Sequence, residues 1–392
     1  MKRQGVEFSD EHELFRDMVR RFVKDTLEPG NLQWEKDGVV PREVWREAGS
    51  LGLLCPSVPD EYGGSGADFL FDVVLVEELA RAGMAGPLAG FIVHSNVVAP
   101  YLVGYGTDEQ KRQWLPRMAS GDAIAALGLT EPEAGSDLRA MRTRARLDGD
   151  EYVISGQKTY ISNGQNANLL VLAAKLDGTD PKSVSLFLVD TSLPGFARGK
   201  NLEKIGLKAQ DTSEIFLDEM RIPADALLGE AGAGMRYLSA KLATERLTQA
   251  IRSTAVAESV IGWTIDYTSE RKAFGKTIAS FQNTQFKLAE MHSEVRVVRS
   301  YIDDCIRAQM EGDLDEVDAA IAKLRATELH CKVVDECLQL HGGWGYIWET
   351  PIARAYADAR VAKIAAGSVE IMKVIIARSL LPDANRRPVS QA

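Results

Sequence analysis

Apolar residues recur at helical spacing from the start of the chain: Phe15, Met18, Val19, Phe22 and Val23 share one helix face. Asp10, with Glu13 three positions on, is expected to cap that helix, and Glu28-Pro29-Gly30 to end it. Pro41 opens a second helix around Val44, Trp45 and Ala48, which the glycines at 49 and 52 stop. Pro56, Pro59 and Gly63-Gly64-Ser65-Gly66 read as a long loop. Helical spacing then returns over about 67–82, 92–103 and 108–119.

Near residue 126 the period changes to two. Residues 142–147 and 152–155 flank Asp148-Gly149-Asp150, a hairpin signal, and short β-rich runs follow at 169–174, 185–189 and 214–217. They predict an antiparallel β domain, a barrel or sandwich. Helical spacing resumes from about 234, with breaks near Phe274-Gly275, Gly312-Asp313 and Gly342-Gly343. Four segments of about 20 to 30 residues, apolar on one side, predict a four-helix bundle. The expected fold is therefore α+β and multidomain: an N-terminal α-helical domain at 1–125, the β domain at 126–232, the bundle at 233–381, and a mobile polar tail at 382–392.

Composition changes this picture little. A chain of 392 residues, 45% apolar and 26% charged, suits a globular protein with several cores. A net charge of −10 argues against nucleic acid or an anionic membrane as partner. No run is expected to reach the roughly 20 apolar residues of a membrane span. The opening MKRQGVEFSDEHELF has no apolar core of a signal peptide and starts folding signals at once, so no secretory or transit segment is expected and a cytoplasmic location is. Cys55, Cys305, Cys331 and Cys337 are too scattered for a disulfide framework. His330-Cys331 and Cys337 with His341 match no zinc spacing, so buried thiols and no metal are expected.

Four segments carry candidate chemistry. Leu127 to Asp137 offers backbone N–H groups and the hydroxyls of Thr130 and Ser136 around Gly135, suited to the polar edge of a bound ring or to a structural turn. Gln157 to Gly164 places Tyr160 and Ser162 just before Asn163-Gly164, as a strand end or as an aromatic face against a ligand. Arg271-Lys272-Ala273-Phe274-Gly275-Lys276, with Phe281-Gln282, sets a forked cation suited to a pyrophosphate beside aromatic rings. Gln339 to Tyr346 holds Gly342, Gly343 and Gly345, where backbone can approach a ligand, and the turn Ala365-Ala366-Gly367-Ser368 follows.

In this order, over essentially the whole chain, these segments resemble the signatures of acyl-CoA dehydrogenases, FAD enzymes that desaturate acyl thioesters. The resemblance implies that Leu127, Leu129, Thr130, Gly135, Ser136, Tyr160, Ser162 and Ser368 hold FAD, with Ser136 also against the substrate. Many relatives carry Trp and Thr where Tyr160 and Ser162 stand. It further implies that Arg271, Phe274, Gln282, Gln339, Gly342 and Gly343 reach the FAD of a neighbouring subunit, hence a homo-oligomer, a tetramer before a dimer. An electron-transferring flavoprotein is the acceptor the resemblance implies.

Desaturation needs a carboxylate for the α-proton and donors for the thioester oxygen. Most relatives place a Glu in a Tyr-Glu-Gly-Thr turn, where this chain has Ala365-Ala366-Gly367-Ser368 and no acid. Long-chain and isovaleryl-CoA dehydrogenases also lack it and carry Glu-Arg-Leu on an earlier helix, matching Glu245-Arg246-Leu247. The resemblance thus implies Glu245 as the base, flavin N5 as acceptor of the β-hydride and a trans-2-enoyl product. Arg246 would lie near the substrate or support Glu245, and Ala366 and Gly367 would touch the substrate, Ala366 through its backbone N–H. Spacing alone allows Glu245 to pair instead with Lys241 at i−4. Glu370 is expected to face elsewhere. The wording is nearest the long-chain subgroup, but Ala365 replaces its Tyr, which argues for a wider, branched or cyclic acyl group. An acyl or aminoacyl group tethered to a carrier protein, oxidase-like use of O2, and a non-catalytic flavoprotein scaffold remain the alternatives.

Overall fold

The computed structural model describes residues 5–180 and 183–381, and the tail expected at 382–392 lies outside them. The chain divides into two compact units, one over Phe8–Lys241 and the other from Leu242 onward.

Among the described residues, the first unit begins with the helices α1 (Asp10–Phe22), α2 (Glu28–Asp37), α3 (Arg42–Ser50), α4 (Phe69–Arg81), α5 (Ala85–Phe91), α6 (Ala99–Tyr105) and α7 (Asp108–Ala119). The cap of α1 is Ser9, not Asp10. Ser9 Oγ accepts from the His12 N–H at 3.4 Å while His12 Nδ1 accepts from the Ser9 N–H at 3.0 Å, a capping box closed by histidine. Glu28-Pro29-Gly30 does not end the helix either. Residues Val23–Leu27 widen into a π turn and Pro29 falls in the first turn of α2, where a missing N–H costs nothing. Ala85–Tyr105 is a continuous helical run of 21 residues, long and apolar enough by length and composition to cross a membrane, which corrects the sequence expectation. Of its apolar window 72% is buried, so core packing accounts for the composition.

Eight strands follow: β1 (Ala125–Gly128), β2 (Arg144–Asp148), β3 (Glu151–Ser162), β4 (Leu169–Leu176), β5 (Ser185–Asp190), β6 (Phe196–Asn201), β7 (Thr212–Pro223) and β8 (Leu227–Leu228). They form one sheet in the order β6-β7-β3-β2-β4-β5-β8, with β1 also beside β4. The expected all-antiparallel pairing is corrected at two places, because β1 and β2 both run parallel to β4. Alternating burial encodes which face of a strand is inward, but neither its neighbour nor its direction. Ile154, Leu170, Leu172, Phe187, Val189, Ile215 and Ile222 build the core on this sheet. At Gly156, beside a break in the β3–β7 register, a Cβ would lie 2.4 Å from Thr143 Oγ1. Glycine lets β3 close on Thr143, which matters for the site.

The long helix α8 (Gly234–Glu270) leads to the small hairpin β9 (Lys272–Ala273) and β10 (Lys276–Thr277), then α9 (Gln282–Glu311), α10 (Glu316–His341), α11 (Pro351–Ala359) and α12 (Val369–Leu380). The fourth bundle segment holds two short helices, with the expected turn at 365–368 between them. The backbone enters the left-handed region at Ala366 (φ 55°) and Gly367 (φ 80°), and Ser368 Oγ starts α12 afresh by accepting from the Ile371 N–H at 3.4 Å. α12 packs on α10 through Ala320, Leu324, Val369 and Met372.

Candidate functional site

In the first unit the segments at 127–137 and 157–164 are neighbours. Thr130 O accepts from the Thr159 N–H at 2.9 Å. Lys158, with no exposed surface, donates from Nζ to Leu129 O at 3.2 Å and to Glu131 Oε1 at 2.7 Å. Glu131 accepts three more hydrogen bonds, from Thr143 Oγ1 at 2.5 Å, the Thr143 N–H at 3.0 Å and the Arg142 N–H at 2.6 Å. Burial opposes ionisation of Glu131, but Lys158 and Thr143 outweigh it and hold the carboxyl below its ordinary range. Burial pulls the Lys158 ammonium down to about 8 against the attraction of Glu131, so the pair is ionic at neutral pH. Neither residue stood out as functional in the sequence.

This buried pair fixes the strand end that carries Tyr160. Tyr160 takes φ 58° and its side chain is 69% exposed, so the ring faces outward between the buried Thr159 and Ile161. Asn163, also left-handed at φ 62°, anchors the following turn by donating to Gly90 O at 3.0 Å and Ala125 O at 3.1 Å. Leu127, Leu129, Thr130 and Ser162 are half-buried, and Gly135 and Ser136 are exposed on the loop after β1. An open aromatic face between partly buried hydroxyls fits a planar, polar-edged ring such as a flavin.

In the second unit Glu245 sits half-buried on α8. Burial raises its carboxyl above the ordinary 4.5, while the cations of Arg246 and Lys323 draw it back down. Arg246 is 4% exposed; its Nη1 donates to Glu316 at 3.0 Å, and its Nε has no partner among the described residues. The Lys241 ammonium, which helical spacing offers to Glu245, lies 5.8 Å from the centroid of Tyr105. Glu370 is exposed, and backbone and Ser368 hydrogen bonds hold its carboxyl low, as suits an acid in the first turn of α12 and not a proton acceptor.

The turn that lacks an acid is held by a residue the sequence reading missed. Lys323, fully buried on α10, donates to Ala365 O at 2.8 Å and to Gly367 O. Between those carbonyls Ala366 occupies a left-handed conformation that costs an L-residue about 1–2 kcal/mol. Ala366→Gly is expected to raise stability by roughly 0.5–1 kcal/mol, the relieved strain less the added freedom of the unfolded chain. Urea unfolding checks this, and a destabilised variant would show that the turn is not strained.

The remaining residues gather at one end of α8 and α10. Tyr267 stacks on His341 with centroids 4.4 Å apart and donates its hydroxyl to His341 O at 3.1 Å. A cavity of about 300 Å³ lined by Trp263, Tyr267, His341, Trp344 and Ile352 lies here. The two-residue turn of the β9–β10 hairpin puts both Phe274 (φ 52°) and Gly275 (φ 79°) in the left-handed region and leaves Phe274 95% exposed. Gly342 (φ 58°, ψ −136°) takes a conformation open only to glycine, although a Cβ there would meet nothing within 4 Å. Backbone geometry, not crowding, demands that glycine. Arg271, Gln282, Gln339 and Gly343 are exposed. From Glu245 to the end of α8 the rise of about 1.5 Å per residue gives roughly 37 Å, so the Arg271 group and Glu245 stand at different ends of one helix. Among the described residues no group of three or more His, Cys, Asp or Glu could hold a metal ion.

Three family models match successive parts of the chain: the acyl-CoA dehydrogenase N-terminal domain at residues 9–122, the middle domain at 126–220 and the C-terminal domain at 232–381. The mitochondrial long-chain specific acyl-CoA dehydrogenase of Mus musculus is 44% identical over 379 residues, covering 96% of this chain and 88% of that protein. The crystal structure of an acyl-CoA dehydrogenase from Geobacillus kaustophilus superposes with a TM-score of 0.94 at 44% identity, over 96% of this chain and 100% of the other. A glutaryl-CoA dehydrogenase from Mycobacterium smegmatis, solved in complex with FADH2, superposes at 0.90 with 30% identity over 97% of both chains.

Proposed function

We propose that this chain, which belongs to the acyl-CoA dehydrogenase family, uses Glu245 as the base that takes the α-proton of a long, branched or cyclic acyl-CoA. It is an FAD-dependent oxidoreductase that dehydrogenates acyl-CoA. When bound, FAD supplies the acceptor for the β-hydrogen and its electron pair. The observation that carries the base assignment is the environment of Glu245: a carboxyl raised by burial, beside two cations, while the turn at 365–368 offers only backbone and small side chains. A raised carboxyl is a stronger proton acceptor once ionised, and Arg246 and Lys323 keep the ionised form accessible. The thioester oxygen would take its hydrogen bond from the Ala366 N–H, which donates to no group among the described residues.

The small side chains of Ala365 and Ala366 support a wide acyl pocket, and the likeness to a long-chain specific enzyme supports length. Anaerobic flavin bleaching against straight, branched and cyclic acyl thioesters, each presented on CoA and on a carrier protein, tests this. The expected result is faster bleaching by long or bulky acyl-CoA than by short straight ones, with CoA preferred over carrier. A short, unbranched optimum would sink the pocket assignment, and a carrier preference would sink the handle.

A homotetramer is supported by Phe274, Tyr346 and Trp344, which are 95%, 90% and 55% exposed, and by the distance along α8 between Arg271 and Glu245. In that assembly Arg271, Phe274, Gln282, Gln339, Gly342 and Gly343 serve a neighbour's FAD. Family likeness supports an electron-transferring flavoprotein as acceptor, and four unpaired cysteines accord with a cytoplasmic location.

A further inference from the structure

The geometry points to Lys323 as a positioning residue for the reaction: its buried ammonium aims the Ala366 N–H at the thioester oxygen and faces the base Glu245 at the same time. This rests on the reading of Glu245 as base and Ala366 as donor. A lysine with no exposed surface normally needs a carboxylate partner, yet both hydrogen bonds from Lys323 Nζ go to backbone carbonyls, Ala365 O at 2.8 Å and Gly367 O. Those carbonyls flank the left-handed Ala366. In a trans peptide the C=O of residue 365 and the N–H of residue 366 point in opposite directions. Fixing Ala365 O on Lys323 therefore turns the Ala366 N–H away from α10, and the second bond to Gly367 O holds the other side of the same turn.

The charged groups around Lys323 come from three helices. Glu245 and Arg246 face it from α8 and Glu370 from α12, while Arg246 is itself paired with Glu316 of α10 at 3.0 Å. Of these, Glu245 gains from Lys323 directly, because the cation favours its ionised form. One side chain thus acts on both halves of the proton abstraction: the donor that receives developing charge on the thioester oxygen and the acid that receives the proton. The signal in the sequence is a lysine on an otherwise small, inward stripe, with Ala319, Ala320, Ala326 and Thr327 buried at i−4, i−3, i+3 and i+4.

The test uses the holoenzyme with Lys323→Met and Lys323→Gln. Two readouts are taken: the absorption red-shift of bound cinnamoyl-CoA, a conjugated thioester whose spectrum reports hydrogen bonding at its oxygen, and flavin bleaching by acyl-CoA against pH. Lys323→Met is expected to shrink the red-shift, slow bleaching about a hundredfold, as loss of one oxyanion donor does, and move the acid limb of the pH profile upward. Lys323→Gln keeps amide donors without charge, so part of the red-shift returns while the acid limb stays high. A wild-type red-shift and acid limb in either variant overturns the proposal, and Lys323→Gln decides alone should Lys323→Met fail to retain FAD. Glu245→Gln separates the underlying reading: it keeps the full red-shift and loses bleaching if Glu245 is the base, whereas bleaching at wild-type speed would remove that assignment and leave the Lys323 red-shift standing.

Discussion

Glu245→Gln retains FAD and the fold, while anaerobic bleaching of the flavin by acyl-CoA slows about a thousandfold, or roughly 4 kcal/mol of barrier. Gln keeps the shape and polarity of the side chain and removes only its ability to accept the proton. The same substitution has the opposite effect on stability. Burial raises the carboxyl of Glu245 above its ordinary 4.5, so ionising it costs more in the folded chain than in the unfolded one. Stability associated with this group is complete below the ordinary value and falls as pH rises towards the raised one. A neutral Gln escapes that loss. The variant is therefore expected to melt at or above the wild-type temperature at neutral pH, with the gap closing in acid where both side chains are neutral. Bleaching at near wild-type speed would remove Glu245 from the mechanism. A variant that melts lower at neutral than at acidic pH, relative to wild type, would contradict the desolvated carboxyl.

The backbone of the candidate site was legible in the sequence where a turn requires a particular residue type. Gly342 and Gly275 marked turns that only glycine or a tolerated left-handed residue can make, and the structure places both at φ above zero. The missing acid at Ala366 was legible as an absence, and it directed attention to Glu245. The burial of Lys158 and of Lys323 was not legible. A buried ion pair or a lysine on carbonyls depends on which faces become inward, and Lys158 in a strand or Lys323 among alanines reads first as a solvated charge. Strand direction was lost for a related reason: a continuous apolar run such as that of β4 is satisfied by parallel and antiparallel neighbours alike, and β4 has both. The split of α11 from α12 was legible as the small-residue turn Ala365-Ala366-Gly367-Ser368, but not the left-handed φ of 55° at Ala366, which alanine rarely signals.

Lys158→Met is expected to cost about 3–5 kcal/mol of stability, the loss that follows when one member of a buried ion pair is removed and the other stays. Met matches the length of the lysine stem, so the change isolates the ammonium and leaves packing nearly intact. Glu131 would keep its bonds to Thr143 and Arg142 but lose the cation that most offsets its burial. The sign with pH follows. In the native chain Glu131 is held below the ordinary carboxylate range, so its contribution is present above 4.5 and is lost as pH falls through the depressed value. In the variant the carboxyl rises and protonates early, so the deficit against wild type narrows in acid. Adding Glu131→Gln to Lys158→Met should recover part of the loss at neutral pH, because the stranded charge is gone and one acceptor oxygen remains for Thr143, although the amide nitrogen then faces the Arg142 N–H. FAD retention is the second readout, since Lys158 also ties Leu129 O to the strand end that exposes Tyr160. If the single and double variants are equally unstable, the penalty comes from lost packing around Lys158 and not from an unpaired carboxylate. If both keep FAD at wild-type affinity, the Lys158–Glu131 pair holds the sheet together without shaping the face around Tyr160.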